Sequence, residues 1–164
     1  MLDNTLEPIV SCRGLTKMYS HVPALSNLTI DLPKGRIIGL LGPNGSGKTT
    51  LIKLITGLIH QTGGELTVGG MPVGVGSKKI VSYLPDRDFL PNGMRSRDLL
   101  RLYSDFYEDF DINKCMEMLT RLGIDLNQKF RSMSKGTREK VQLALIMSRN
   151  AELYVLDEQI AAVD

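Results

Sequence analysis

A chain of 164 residues with 42% apolar and 23% charged residues is long enough to bury one core and too apolar to stay disordered. Its formal net charge of +2, without a dense basic stretch interleaved with aromatics, gives no electrostatic footprint for nucleic acid. The apolar runs fall far short of the roughly 20 residues that span a bilayer. The polar start MLDNTLEP is not expected to act as a signal peptide, so a cytoplasmic protein is expected.

The first thirty-odd residues read as strands and turns. In SNLTIDL, Leu28, Ile30 and Leu32 alternate with polar residues at period two, and PKG follows as a turn. Cys12 has no partner at CxxC or Cys/His spacing, nor does Cys115, so both are expected as buried thiols in a reducing compartment. His21 and His60 are isolated and take no role. RIIGLLG, from Arg36, is apolar on both faces and is expected as a strand buried in a parallel sheet. GKTTLIKLITGLI follows with Leu51, Leu54, Ile55 and Leu58 at helical spacing, and QTGG is expected to end that helix. ELTVGGMPV and KIVSYLP are two further strand candidates.

From Asp86 to Asn150 the pattern is helical. DLLRLYSDFY is one candidate helix. DINKCMEMLTRLG is a clearer one, with Ile112, Cys115, Met116, Leu119 and Leu122 as its stripe, Asp111 as cap and Gly123 as stop. TREKVQLALIMSRN is a third, expected to bury Val141, Ala144, Leu145 and Ser148, and LYVLD returns to strand. The expected organisation is therefore one domain, with residues 1–85 and 151–164 forming an α/β core and 86–150 a helical insert.

GPNGSGKT, Gly42 to Thr49, fits G-x-x-x-x-G-K-[ST] between a predicted strand and a predicted helix, the context a phosphate-binding P-loop (Walker A) requires. Glycines let successive backbone N–H groups curl around an anion, and the helix that begins there points its positive end at it. Lys48 reaches the β/γ oxygens and the Thr49 hydroxyl suits Mg²⁺. The closing LYVLDE then reads as a Walker B strand, with Asp157 holding the Mg²⁺ water shell and Glu158 polarising the attacking water as general base. A GTPase would need an NKxD base reader, and the sequence has none.

With these two motifs flanking a helical insert, the sequence resembles the nucleotide-binding subunit of an ATP-binding cassette (ABC) transporter, of the bacterial exporter kind, over essentially its whole length. The resemblance implies an α/β P-loop NTPase (RecA-like) core with an N-terminal antiparallel β subdomain and an inserted α-helical subdomain. It further implies that Tyr19 stacks on adenine, the alternative being a core tyrosine without a ligand. The nucleotide is then held by Gly42, Pro43, Asn44, Gly45, Ser46, Gly47, Lys48, Thr49 and Thr50, with Lys48 and Glu158 catalytic. The family's LSGGQ signature is matched by MSKGT, where Ser134 and Gly136 agree and Lys135 and Thr137 depart. By resemblance it contacts the γ-phosphate of ATP on a second cassette, in a homodimer or heterodimer. Asp86 stands where the family has a metal-sensing Gln, Gln159 stands where it has Pro, and Asp164 matches the D-loop aspartate.

The family fold continues past this point with further strands, one bearing a histidine for the γ-phosphate. The resemblance thus implies a cassette truncated after the D-loop, its C-terminal strands missing, weak or inactive in hydrolysis by itself. The working form is an ATPase with ATP and Mg²⁺, driving a separate transmembrane permease from the inner face of the membrane. A non-hydrolysing nucleotide-binding remnant or regulatory module is the alternative, and a soluble ABC protein acting on ribosomes or DNA is a third. Ser134→Arg is expected to suppress ATP-driven dimerisation while leaving ATP binding to the monomer intact. Equal loss of both in sedimentation and binding assays would refute the assignment to the opposite subunit's ATP.

Overall fold

The computed structural model describes residues 7–157, which form two compact units divided between Val81 and Ser82. In the first, β1 (Pro8–Tyr19) pairs antiparallel with both β2 (Val22–Pro33) and β3 (Gly63–Val68), and β3 pairs antiparallel with β4 (Met71–Pro72). The four-stranded order is β2-β1-β3-β4, the antiparallel subdomain expected from the sequence. Gly69 and Gly70, both at positive φ, make the two-residue turn between β3 and β4, where a pair of left-handed residues matches the strand twist. Ile9, Val10, Cys12, Leu15, Leu66 and Val68 are buried from the sheet, and Leu51, Leu54 and Ile55 from helix α1 (Lys48–Ile55). Cys12 and Cys115 are both free and buried, as expected.

Helix α1 is shorter than its apolar spacing suggests. Its C-cap is Thr56, Gly57 turns left-handed at φ 67, and the Gly57 and Leu58 N–H groups bond back to the carbonyls of Leu54 and Lys53. This glycine stop releases Leu58 to solvent. A one-turn helix that the sequence pattern did not show, α2 (Val75–Lys79), follows β4, closed by Ser77 Oγ accepting from the Gly74 N–H.

The larger difference concerns residues 36–41. They are expected as a buried strand, yet they belong to no strand, and Ile37, Ile38, Leu40 and Leu41 are exposed. A run apolar on both faces is buried only when strands flank it on both sides, and none of the described strands pairs with it.

In the second unit, β5 (Val81–Leu84) and β6 (Leu153–Leu156) pair in a two-stranded sheet. Between them run α3 (Ser96–Phe106), α4 (Ile112–Arg121), a short 3-10 turn (Phe130–Ser132) and α5 (Lys135–Met147). Asp111 caps α4 by accepting from the Lys114 N–H, and Gly123 leaves it at φ 66. The α4 stripe is narrower than expected: Cys115 and Leu119 are fully buried, Ile112 packs partly, and Met116 and Leu122 stay exposed. On α5, Val141, Ala144, Leu145 and Ser148 are all buried, as expected.

The core of this unit joins Leu84, Leu99, Tyr103, Cys115, Leu119, Phe130, Val141 and Leu145. Two polar ties frame it. Ser82 Oγ donates to the Ile146 carbonyl, and the buried Arg149 guanidinium meets Asp109 at 3.0 Å while lying 4.1 Å from the Tyr107 ring centroid. Leu119→Ala is expected to destabilise the protein by about 2–5 kcal/mol, the cost of a buried leucine with its cavity. Urea unfolding measures it, and a loss under 1 kcal/mol would show that α4 is not part of this core.

Candidate functional site

The phosphate loop is built from backbone conformations that only glycine adopts cheaply. Gly45 and Gly47 lie at φ 82 and 91. A Cβ on Gly47 would stand 2.6 Å from the Ala24 carbonyl oxygen, and one on Gly42 would stand 2.8 Å from Ser46 Oγ. The loop is therefore pressed against β2 at Ala24 and Leu25, and no side chain fits between. Ser46 N–H donates to the Pro43 carbonyl at 3.2 Å and Leu51 N–H to the Gly47 carbonyl at 2.8 Å, so the loop turns directly into α1.

Helix α1 has no side-chain cap and no acid in its first turn. Its first amide groups and its dipole are left for an anion. Lys48 Nζ donates to the Gly42 and Pro43 carbonyls at 2.8 and 2.9 Å. Its ammonium is thereby held against the first residues of its own loop. The Thr49 side chain is exposed on the first turn. Pro43, Asn44 and Thr50 complete the loop and turn, and Pro43 contributes through its carbonyl as above.

Tyr19 ends β1 at the hairpin whose other strand backs the P-loop, since Lys17 pairs with Leu25 and Tyr19 with Val22. The ring is 47% exposed, and the Lys17 ammonium lies 5.2 Å from its centroid. The exposed ring face has the chemistry on which a base can stack.

The remaining described candidates lie in the second unit. Asp157 follows β6, is 4% exposed, and donates its N–H to the Leu84 carbonyl at 3.0 Å. Tyr83 of β5 hydrogen-bonds its carboxylate and is also close enough to Asp86 to feel its charge. Asp86 is half exposed and lies 3.8 Å from Arg87. Tyr83 was not singled out by sequence; the signal was its place on a short strand beside the acidic segment. Glu158, Gln159 and Asp164 lie outside the described residues.

Ser134 is the N-cap of α5, accepting from the Thr137 N–H at 3.2 Å and sharing a 2.8 Å bond with the Thr137 hydroxyl. Gly136 sits in open space in the first turn, and Lys135 reaches Glu139 one turn on at 3.8 Å. Asp88, Arg138 and Gln142 form a cluster behind this end of α5 that the sequence reading missed. A polar Gln142 one residue along from Val141 on an otherwise apolar face was the available clue.

A magnesium ion that arrives with substrate phosphates needs only one or two protein oxygens. Within the first unit the exposed Thr49 side chain carries such an oxygen, and within the second the buried Asp157 carries another; no cluster of three or more His, Cys, Asp or Glu side chains gathers among the described residues.

Residues 25–161 match a protein-family model described as ABC transporter. The chain is 30% identical over 164 residues to the ABC transporter ATP-binding protein YdbJ of Bacillus subtilis, covering 96% of this chain and 53% of that protein. It is 29% identical over 167 residues to the manganese transport system ATP-binding protein MntB of the same organism, covering 94% and 66%. Among solved structures, an ABC transporter ATP-binding protein from Pyrococcus furiosus matches with a TM-score of 0.81 at 33% identity, over 94% of this chain and 78% of that one. The chain thus spans about half the length of YdbJ.

The Tyr83 hydroxyl is pushed up to about 12 from its ordinary value near 10, first by burial, then by the charges of Asp157 and Asp86 and the hydrogen bond to Asp157. Because the folded value is raised, the stability this neutral hydroxyl supplies is complete below pH 10 and is lost as pH rises towards 12. The stability difference between the parent and Tyr83→Phe is therefore expected to shrink across that alkaline window. A difference independent of pH in alkaline unfolding curves would exclude the Tyr83–Asp157 bond as its source.

Proposed function

The chain belongs to the ABC transporter family, and from that premise we propose that it is the ATP-binding and ATP-hydrolysing subunit of a transporter, coupling ATP-driven dimerisation to movement of cargo by a separate membrane subunit. The P-loop carries this reading: a helix without a side-chain cap, entered through Gly45 and Gly47 at positive φ, with the Lys48 ammonium bonded back to the loop's own carbonyls.

In this reading the adenine stacks on Tyr19, and the phosphates lie in the loop from Gly42 to Thr50, with Lys48 neutralising the β/γ oxygens. Thr49 and Asp157 would hold Mg²⁺, with Asp86 as a further candidate ligand, and the ion would supply charge neutralisation on the phosphate oxygens. Glu158 accepts the proton of the attacking water. Ser134 and the first amides of α5, Gly136 among them, meet the γ-phosphate of ATP bound by a second cassette.

No helix among the described residues is long and apolar enough to cross a membrane; by its family the chain would reach the membrane through a separate subunit. The second unit offers a seat for it in an apolar groove of about 280 Å³, lined by Phe89, Leu90, Pro91, Leu102 and Phe106. Phe89 and Phe106 are exposed there, the kind of aromatic surface that partner proteins cover. The protein then works in the cytoplasm, against the inner face of the membrane.

Glu158→Gln is expected to lower ATP turnover by about a hundredfold or more, the usual weight of a general base, while ATP affinity stays within about twofold of the parent. Lys48→Ala is expected to weaken ATP binding itself. Unchanged turnover in Glu158→Gln would remove Glu158 as the general base, and a parent that binds ATP without hydrolysing it would leave nucleotide binding without turnover as the function.

A further inference from the structure

Asp88, in the segment between β5 and α3, contacts α5 twice. Its Oδ1 accepts from Gln142 Nε2 at 2.8 Å, and its Oδ2 lies 2.9 Å from Arg138 Nε. Arg138 and Gln142 stand one helical turn apart on one face of α5, so a single carboxylate spans both. The Arg138 guanidinium is also set over the Phe130 ring, 5.9 Å from its centroid.

Gln142 is fully buried, and its Oε1 has no hydrogen-bond partner among the described residues. An apolar side chain of that size would fill the space without an orphaned acceptor. Tolerating one fits a contact that fixes position rather than one that merely packs.

The two ends of this contact lead to different surfaces. Phe89, Leu90 and Pro91, the three residues after Asp88, line the apolar groove. One turn before Arg138 is Ser134, whose carbonyl accepts the Arg138 N–H at 3.0 Å. Groove segment, carboxylate, Arg138 and Ser134 are thus connected in turn by the chain itself, an ion pair and a backbone bond of α5.

We infer that Asp88 is a positioning residue that carries displacements of the groove segment 86–91 to the Ser134 end of α5. Its meaning for transport rests on the reading above, in which the groove seats the membrane partner and Ser134 meets ATP. The mechanical link itself does not. Pushing on Phe89 or Pro91 shifts the carboxylate, and α5 follows through one hydrogen bond, from Gln142, and one ion pair, with Arg138.

Hydrogen exchange on the full chain tests the link without nucleotide. Pro91→Gly loosens the groove segment by restoring backbone freedom. It is expected to speed amide exchange at Thr137 to Lys140 about tenfold in the parent and less than about twofold when Asp88 is already Asn. The double exchange Asp88→Arg with Arg138→Asp is expected to restore most of the response to Pro91→Gly. Gln142→Leu, which keeps the buried volume and removes one arm, is expected to give an intermediate response even where Asp88→Asn lowers overall stability. Equal responses in both backgrounds, or none in the parent, would overturn the inference. In a parallel assay of ATP-driven self-association, Ser134→Arg distinguishes the two layers. If it has no effect, the ATP reading falls and the link stands or falls on exchange alone. If it blocks association while the exchange responses are equal, only the link is lost.

Discussion

The amide groups at the start of α1 have no partner inside the helix, and no side chain caps them. That single shortfall organises the first unit. The chain reaches α1 through glycines at φ 82 and 91, a backbone that other residues adopt only at a cost. The conformation is fixed from behind, since the Ala24 carbonyl and the Leu25 side chain leave no room for a Cβ on Gly47. The four-stranded sheet is thus the wall against which the loop is formed. The same hairpin that supplies the wall carries Tyr19 at its end, so the proposed base and phosphate contacts would share one element.

The second unit solves a different problem with α5 at its centre. Its apolar face closes the helical core through Val141, Ala144 and Leu145, and its C-terminal end is tied to β5 by the Ser82 hydroxyl on the Ile146 carbonyl. Just beyond that end, Arg149 is buried with Asp109 and stacked near Tyr107, where its charge is compensated by a carboxylate and an aromatic face together. The N-terminal end faces outward with Ser134, Gly136 and an exposed Lys135. One end of α5 is pinned by polar contacts inside the unit, and the other is exposed at its first turn, where Ser134 caps the Thr137 N–H. This polarity is what a helix needs if its N-terminus is to meet an anion that the unit does not itself contain.

Much of the fold was legible from local chemistry. Asp111 and Gly123 bound α4 because capping and left-handed exit are decided within a few residues. The burial of Val141, Ala144, Leu145 and Ser148 follows from helical spacing on a long element. Legibility failed where burial depends on a neighbour. Met116 and Leu122 fit the helical period, but the facing elements cover only Cys115 and Leu119 fully. Leu58 fits the period of α1, but Gly57 had already ended it. Residues 36–41 have the composition of a central strand and are exposed among the described residues, because composition states a demand for flanking strands and cannot supply them.

The sequence by itself determined the phosphate loop, since spacing, glycine and lysine there act through the local backbone, and it determined the family through the order of its motifs. Only the tertiary structure decided that Asp157 is buried against Tyr83, that Gly47 must be glycine because of a carbonyl more than twenty residues earlier, and that Asp88 bridges Arg138 and Gln142. These contacts join residues far apart in the chain. Their energies depend on which groups lose water together, and no local pattern of residues encodes that.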